Sequence, residues 1–118
     1  MVNQICIAGL VQALVGRDQL RQTAPGSTSS AVLDVIGKGA AQSWQMDNRG
    51  KTMVADKFDF GFAVDWMRKD LAICLAEARS NGARAAGHRA GRPVLRAQCR
   101  RMGGGRWDTS SLIRLLRD

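Results

Sequence analysis

The stretch "GFAVDWMRKDLAICLAEARS" (residues 61–80) decides the fold. Val64, Met67, Leu71, Cys74, Leu75 and Ala78 recur at steps of three and four, the spacing that lines one face of an α-helix. Asp59 stands where an N-cap is expected, and Asn81-Gly82 closes the run. The pattern predicts an amphipathic helix of about five turns, which needs a second apolar surface to pack against. That surface lies upstream. In "MVNQICIAGLVQAL" (residues 1–14), Ile7, Leu10, Val11 and Leu14 repeat the same spacing, so the two helices are expected to pack together. Cys6 and Cys74 fall on these apolar faces and are expected to be small buried hydrophobes.

Shorter elements fill the rest. Ser30 is placed to cap a short helix through Val32, Leu33 and Ile36, ended by Gly37. "AAQSWQMDNRGKTM" (residues 40–53) predicts another, up to Asn48 and before Gly50. After the "MGGGR" turn, Asp108 caps a last helix carrying Leu112, Ile113, Leu115 and Leu116. Residues 15–30, "VGRDQLRQTAPGSTSS", lose the period, and Pro25-Gly26 with the Ser/Thr run marks a loop. No strand alternation and no internal repeat appears. The fold class is all-α, a helical bundle forming one domain over residues 1–118. Short isolated helices are marginal, so packing of apolar faces must hold them.

Composition narrows the function classes. With 118 residues, 45% hydrophobic and 24% charged, the chain reads as globular. No apolar run reaches the roughly 18 residues of a membrane span. The opening lacks a basic n-region and a cleavage site, so a cytoplasmic location is expected. Three scattered cysteines and the single His88 do not have the close spacing of a metal site. No nucleophile or acid stands beside His88 to form a triad. The net charge of +8 is local: residues 84–106 hold seven arginines and no acid. The rest is nearly neutral, eleven basic residues against ten acidic. That segment has no aromatic residues apart from Trp107 at its edge, so a bare charge cluster is a weak case for nucleic-acid binding.

Four pieces together carry a resemblance: "NQICIAGLVQAL", "VLDVIGKGAAQSWQMDNRGKTM", "FDFGFAVDWMRKDLAICLAEA" and "GGGRWDTSSLIRLL". In this order and spacing they resemble the C-terminal domain of the β-hydroxyacid dehydrogenases. That family includes 3-hydroxyisobutyrate dehydrogenase and tartronate semialdehyde reductase, with 6-phosphogluconate dehydrogenase more distant. The resemblance implies an all-α domain that completes a substrate cleft and builds an oligomer. A Rossmann domain binding NAD or NADP through GxGxxG would precede it. In this chain the only glycine clusters are "GKGAA" and "GGG", and neither follows a strand, as a phosphate cradle requires.

The family's catalytic motif is Lys-x-x-Asn-(Asn/Gln). "MVNQ" matches its end, placing Asn3 and Gln4 on the last two positions. The general acid/base lysine would fall immediately before Met1, so no catalytic residue is expected in this chain. The resemblance assigns Asn3, Gln4 and Ser43 to the substrate and Lys69, in "RKDL", to the cofactor. Asp70 follows Lys69 and is placed to orient the helix through a hydrogen bond. In the family the stretch with Ser43 and Trp44 faces the cleft; the alternative for Trp44 is a packing anchor, and Trp66 is expected to pack. The default for Lys69 is a solvated surface charge, and for Asn3 and Gln4 it is service to free N–H groups at a helix start.

Residues 15–31 and 84–101 depart from the family. Read one nucleotide later, the codons of "VGRDQLRQT" (residues 15–23) can spell "SEGINFAKR". Those of "AAGHRAGRPVLRA" (residues 85–97) can spell "LPVTALVDQFYA". Both resemble the usual family continuation. Both stretches are therefore expected to be out of frame, which accounts for the local arginine excess.

Three functions follow in order. The first is a fragment of an NAD(P)-dependent 3-hydroxyacid oxidoreductase, inactive alone and needing no cofactor of its own. The second is a non-catalytic helical module, a homo-oligomer or a partner to a separately encoded Rossmann half. The third and weakest is a basic nucleic-acid binder.

Overall fold

The computed structural model describes residues 2–22, 28–83, Leu95, Ala97 and 101–116. Pro25-Gly26, His88, Cys99 and the arginines from Arg84 to Arg100 lie outside the described residues. The elements are α1 (Val2–Gln22), α2 (Ser29–Ile36), α3 (Trp44–Val54) and α4 (Val64–Asn81). A 3₁₀ turn, Gly104–Arg106, and a 3₁₀ helix, Thr109–Leu116, follow. Among the described residues the fold is all-α, with no strand, and no helix is long and apolar enough to cross a membrane.

The element that α4 forms is the one its spacing predicts. Val64, Met67, Leu71 and Cys74 are buried, while Leu75 and Ala78 are half-buried. Gly82 ends the helix at φ 74°, a left-handed conformation that glycine takes without a Cβ clash. The start differs from expectation. Asp59 does not cap it; Ala63 occupies the cap position and makes no side-chain bond there. A distant strand-like segment does the work instead. The Val64 N–H donates to the Trp107 carbonyl at 2.9 Å, and Thr109 N–H donates to the Phe62 carbonyl at 2.9 Å. Ala63 and Asp108 form an isolated antiparallel bridge.

Against α4 lie α1 and the 3₁₀ turn, while the 3₁₀ helix packs chiefly on α1. Val11, Leu14 and Val15 of α1 join Val64, Met67 and Leu71 of α4 and Leu112 and Ile113 in one core. The buried arc of α1 sits slightly round from the expected one. Leu10 is 45% exposed while Val15 is buried, and Cys6 is exposed, not buried like Cys74. The backbone of α1 stays helical to Gln22, past the point where the apolar period stops. Once nucleated, a helix gains one bond per added residue, so it can outrun its apolar pattern.

The short helices also depart in detail. Thr28, not Ser30, caps α2; its hydroxyl accepts the Ala31 N–H at 3.3 Å. Helix α3 does not stop at Asn48 but continues through Gly50 to Val54. A mid-helix glycine costs about 1 kcal/mol relative to alanine. Here there is a packing reason: a Cβ on Gly50 would stand 2.8 Å from Cδ2 of Leu33, so glycine lets α3 lie close on α2. The final helix is 3₁₀, not α. Ser111 donates to the Asp108 carbonyl from both its N–H, at 2.9 Å, and its hydroxyl, at 2.6 Å. Such short polar side chains compete with the α ladder for backbone partners.

Asp108 is the joint between these parts. It caps the 3₁₀ helix, as expected, accepting the Ser110 N–H at 3.0 Å and the Ser110 hydroxyl at 2.6 Å on Oδ1. It is also fully buried and receives Arg49 side-on, Nε to Oδ1 at 2.9 Å and Nη2 to Oδ2 at 3.0 Å. The Phe62 N–H donates to Oδ2 at 2.8 Å. Arg49 is itself held by Gln45, whose Oε1 accepts from Nη1 at 2.6 Å. Burial pushes the carboxyl up, but the bonds from Arg49, from the Ser110 side chain and backbone, and from Phe62 outweigh it. The net effect holds Asp108 below its ordinary value. Gly61 sits at φ 74°, where a Cβ would run into the Asp108 carboxylate.

Two outcomes follow for stability. Gly61→Ala combines left-handed strain with a collision on a buried charge, so urea unfolding should show a loss of about 2 kcal/mol or more. The unfolded chain binds a proton at Asp108 more readily than the folded one. The stabilisation from Asp108 is therefore complete above about pH 5 and fades as pH falls below about 4. Asp108→Asn should be less stable at neutral pH and should lack that part of the acid slope.

Candidate functional site

Three of the four residues assigned to ligands meet where the first turn of α1 crosses α4. The Asn3 Nδ2 donates to Gln4 Oε1 at 3.0 Å. Gln4 Nε2 donates across the helix pair to Asp70 Oδ2 at 2.9 Å. The other carboxylate oxygen, Asp70 Oδ1, lies 3.4 Å from Lys69 Nζ. Asn3, Gln4, Asp70 and Lys69 thus form one continuous polar chain, joining residues 66 positions apart. It grades from a half-buried Gln4–Asp70 centre to exposed ends at Asn3 and Lys69.

The geometry explains why these helices put them there. Asn3 and Gln4 precede the apolar run of α1 and remain at its rim. Lys69 and Asp70 lie between Met67 and Leu71 on α4, off the buried face. Asp70 is on the flank toward α1 and Lys69 is beyond it, 66% exposed at its side chain. An exposed ammonium and an exposed carboxamide offer several donors. That donor set suits a small carboxylate, a hydroxyl or a cofactor amide. Among the described residues no glycine-rich turn joins a strand to a helix as a phosphate cradle. Nor do three or more His, Cys, Asp or Glu side chains stand together to hold a metal among them.

Ser43 is placed differently. It is the N-cap of α3, its Oγ accepting the Met46 N–H at 3.2 Å. No hydrogen bond among the described residues joins it to the Asn3–Lys69 chain. Trp44 is not a core anchor: it is 62% exposed, with the Arg49 guanidinium 5.3 Å from its ring centroid. Trp66 packs at the surface, edge-to-face on Phe62 at 5.6 Å and under Arg106 at 5.6 Å.

Sequence reasoning did not find the pair Arg49–Asp108. Asp108 carried a cap signal, but no local spacing points to a partner 59 residues away. The link between Gln4 and Asp70 was equally invisible, although each residue drew notice by itself.

Residues 1–116 match the family described as NAD-binding of NADP-dependent 3-hydroxyisobutyrate dehydrogenase. An uncharacterized oxidoreductase of Shewanella frigidimarina is 53% identical, over 96% of this chain and 38% of its own length. A probable mitochondrial 3-hydroxyisobutyrate dehydrogenase-like protein of Arabidopsis thaliana is 36% identical, over 70% of this chain and 24% of its own. The crystal structure of a 3-hydroxyisobutyrate dehydrogenase from Salmonella typhimurium superposes with a TM-score of 0.81 at 23% identity. It is matched by 97% of this chain over 39% of its own length, a likeness of fold. The chain spans about two fifths or less of the length of these relatives.

The cap role of Ser43 carries its own consequence. Ser43→Ala should lower stability by about 1 kcal/mol, and Ser43→Asp should retain most of it, as capping substitutions do. Thermal unfolding followed by circular dichroism measures both.

Proposed function

The chain belongs to the 3-hydroxyisobutyrate dehydrogenase family, and on that premise we propose that it supplies the helical wall of the substrate cleft in an NAD(P)-dependent 3-hydroxyacid oxidoreductase. The observation that carries this reading is the polar chain from Asn3 through Gln4 and Asp70 to Lys69. It gathers three of the residues that a ligand site of this family would use on one rim. Asn3, Gln4 and Ser43 belong to the substrate side, and Lys69 to the cofactor side. When bound, NAD or NADP supplies the hydride acceptor. This chain's part is to hold the acid group of the substrate and orient the cofactor against it. General acid–base catalysis, worth roughly 10²–10⁴-fold, and the phosphate cradle come from the part of the enzyme to which the relatives' further length corresponds.

A second reading, assembly with another copy of the chain, is favoured by α1. Residues 2–16 contain no charged side chain, yet Val2, Cys6, Gly9, Leu10 and Ala13 are exposed on its outer side. An uncharged outer side that exposes apolar side chains is a surface that a partner can cover. A Cβ at Gly9 would meet nothing, which leaves room for a close helix–helix approach. We place a second α1 there.

Two measurements check these readings. The 118-residue chain alone should not reduce NAD or NADP with 3-hydroxyisobutyrate. Fused behind the unmatched remainder of the Shewanella frigidimarina relative, it should; turnover by the chain alone, or none by the fusion, overturns the assignment. In sedimentation velocity the chain should run as a dimer and Leu10→Lys as a monomer, whereas a monomeric parent chain removes the second reading.

A further inference from the structure

We infer that Gln4 is a positioning residue: it holds the Asp70 carboxylate so that Asp70 in turn draws the Lys69 ammonium toward the first turn of α1. This rests on the reading of Lys69 as a ligand-side group, and it changes the part that Gln4 plays in the site. Both ends of the Gln4 carboxamide are already engaged. Its Oε1 accepts from Asn3 at 3.0 Å and its Nε2 donates to Asp70 at 2.9 Å. A carboxamide bound at both ends on a half-buried site has a fixed orientation, since reversing it would set its oxygen against the carboxylate.

The direction of the effect follows from helix geometry. Consecutive residues on a helix project about 100° apart and do not face each other. Lys69 would therefore point to solvent, away from Asp70, and its long side chain would sample many rotamers. Yet its Nζ lies 3.4 Å from Asp70 Oδ1. Asp70 can offer that oxygen steadily only because the other one is tied to Gln4 across the helix pair. The Asp70 side chain is 22% exposed against 66% for Lys69, so the fixed end of the chain is the buried one. Asn3 is the opposite terminus. Its bond to Gln4 uses one amide hydrogen, which leaves its oxygen and second hydrogen for a ligand. Within the pair Asn3–Gln4, Asn3 is then the residue that touches substrate, and Gln4 acts through Asp70.

NMR of the Lys69 ammonium in the 118-residue chain decides this. Gln4→Ala and the similarly sized, donor-free Gln4→Met should both speed hydrogen exchange of the Lys69 ammonium by about two- to fivefold, the range expected for loss of an exposed pair. Helix content should be unchanged in Gln4→Met, which keeps α1 packed if Gln4→Ala does not fold. A merely structural tether would not move the lysine signal. The inference is overturned if Asp70→Asn alters Lys69 exchange while neither Gln4 variant does. Adding NADPH to the fusion with the remainder of the Shewanella frigidimarina relative separates the two levels. A Lys69 signal that shifts supports the ligand-side reading. One that stays silent, with the Gln4 effects intact, leaves the lock standing and removes the cofactor role.

Discussion

A charge buried without water must have every oxygen answered, and Asp108 is that charge in this protein. Arg49 answers both oxygens, Phe62 one and Ser110 the other. Breaking such a pair by removing one member typically costs about 3–5 kcal/mol, because the survivor is left charged and unpaired. That is a large share of the roughly 5–15 kcal/mol by which a domain is stable at all. The demand propagates outward. Gly61 has to be glycine to let the carboxylate in, and the segment after it is held at the angle from which α4 departs. With Val64 donating to Trp107, the start of α4 is defined by residues beyond its own end. The positions of Lys69 and Asp70, one to two turns later, inherit that definition.

The second level of order is the apolar core, and it was the more legible one. The 3.6-residue period in 61–80 foretold α4, its buried face and its glycine stop. The period in α1 foretold the partner but not the width of the shared face, since a repeat of i, i+3, i+4, i+7 marks an arc without saying how much of it is covered. Leu10 and Cys6 are at the edge of that arc and stay in solvent. Gly50 misled because a glycine usually lowers the case for helix; the close approach of Leu33 that makes it useful is tertiary. Thr28 and Ser30 are both good caps, and a local rule does not choose between them. Asp108 announced itself as a cap, and its partner Arg49 did not. An arginine inside a polar helix reads as surface charge until the fold closes over it.

The candidate site shows the same division. Asn3, Gln4, Ser43 and Lys69 came from resemblance, and the family is now established for residues 1–116. What resemblance could not supply is the wiring. Gln4 reaches Asp70, Asp70 meets Lys69, and Ser43 is engaged in capping α3. The long-range link also gives a structural sense to the apolar packing beneath it. Val11 and Leu14 seat α1 on α4 at a fixed register, and that register is what brings a first-turn glutamine within reach of a mid-helix aspartate.

The tie between Asp108 and the rest has a bearing on how the chain acquires its shape. Its partners Phe62 and Arg49 are 46 and 59 residues away, so the loops that must close are long, although loop entropy grows only slowly with length. Helices form locally and fast, whereas non-local contacts set the pace of folding. Before residues 107–111 arrive, α4 has no donor-satisfying partner at its start and Arg49 has no acid. The assembled helices would be a loosely docked set. Arrival of Asp108 is then the late step that turns collapse into a unique structure, which makes the closing segment the kinetic latch of the domain.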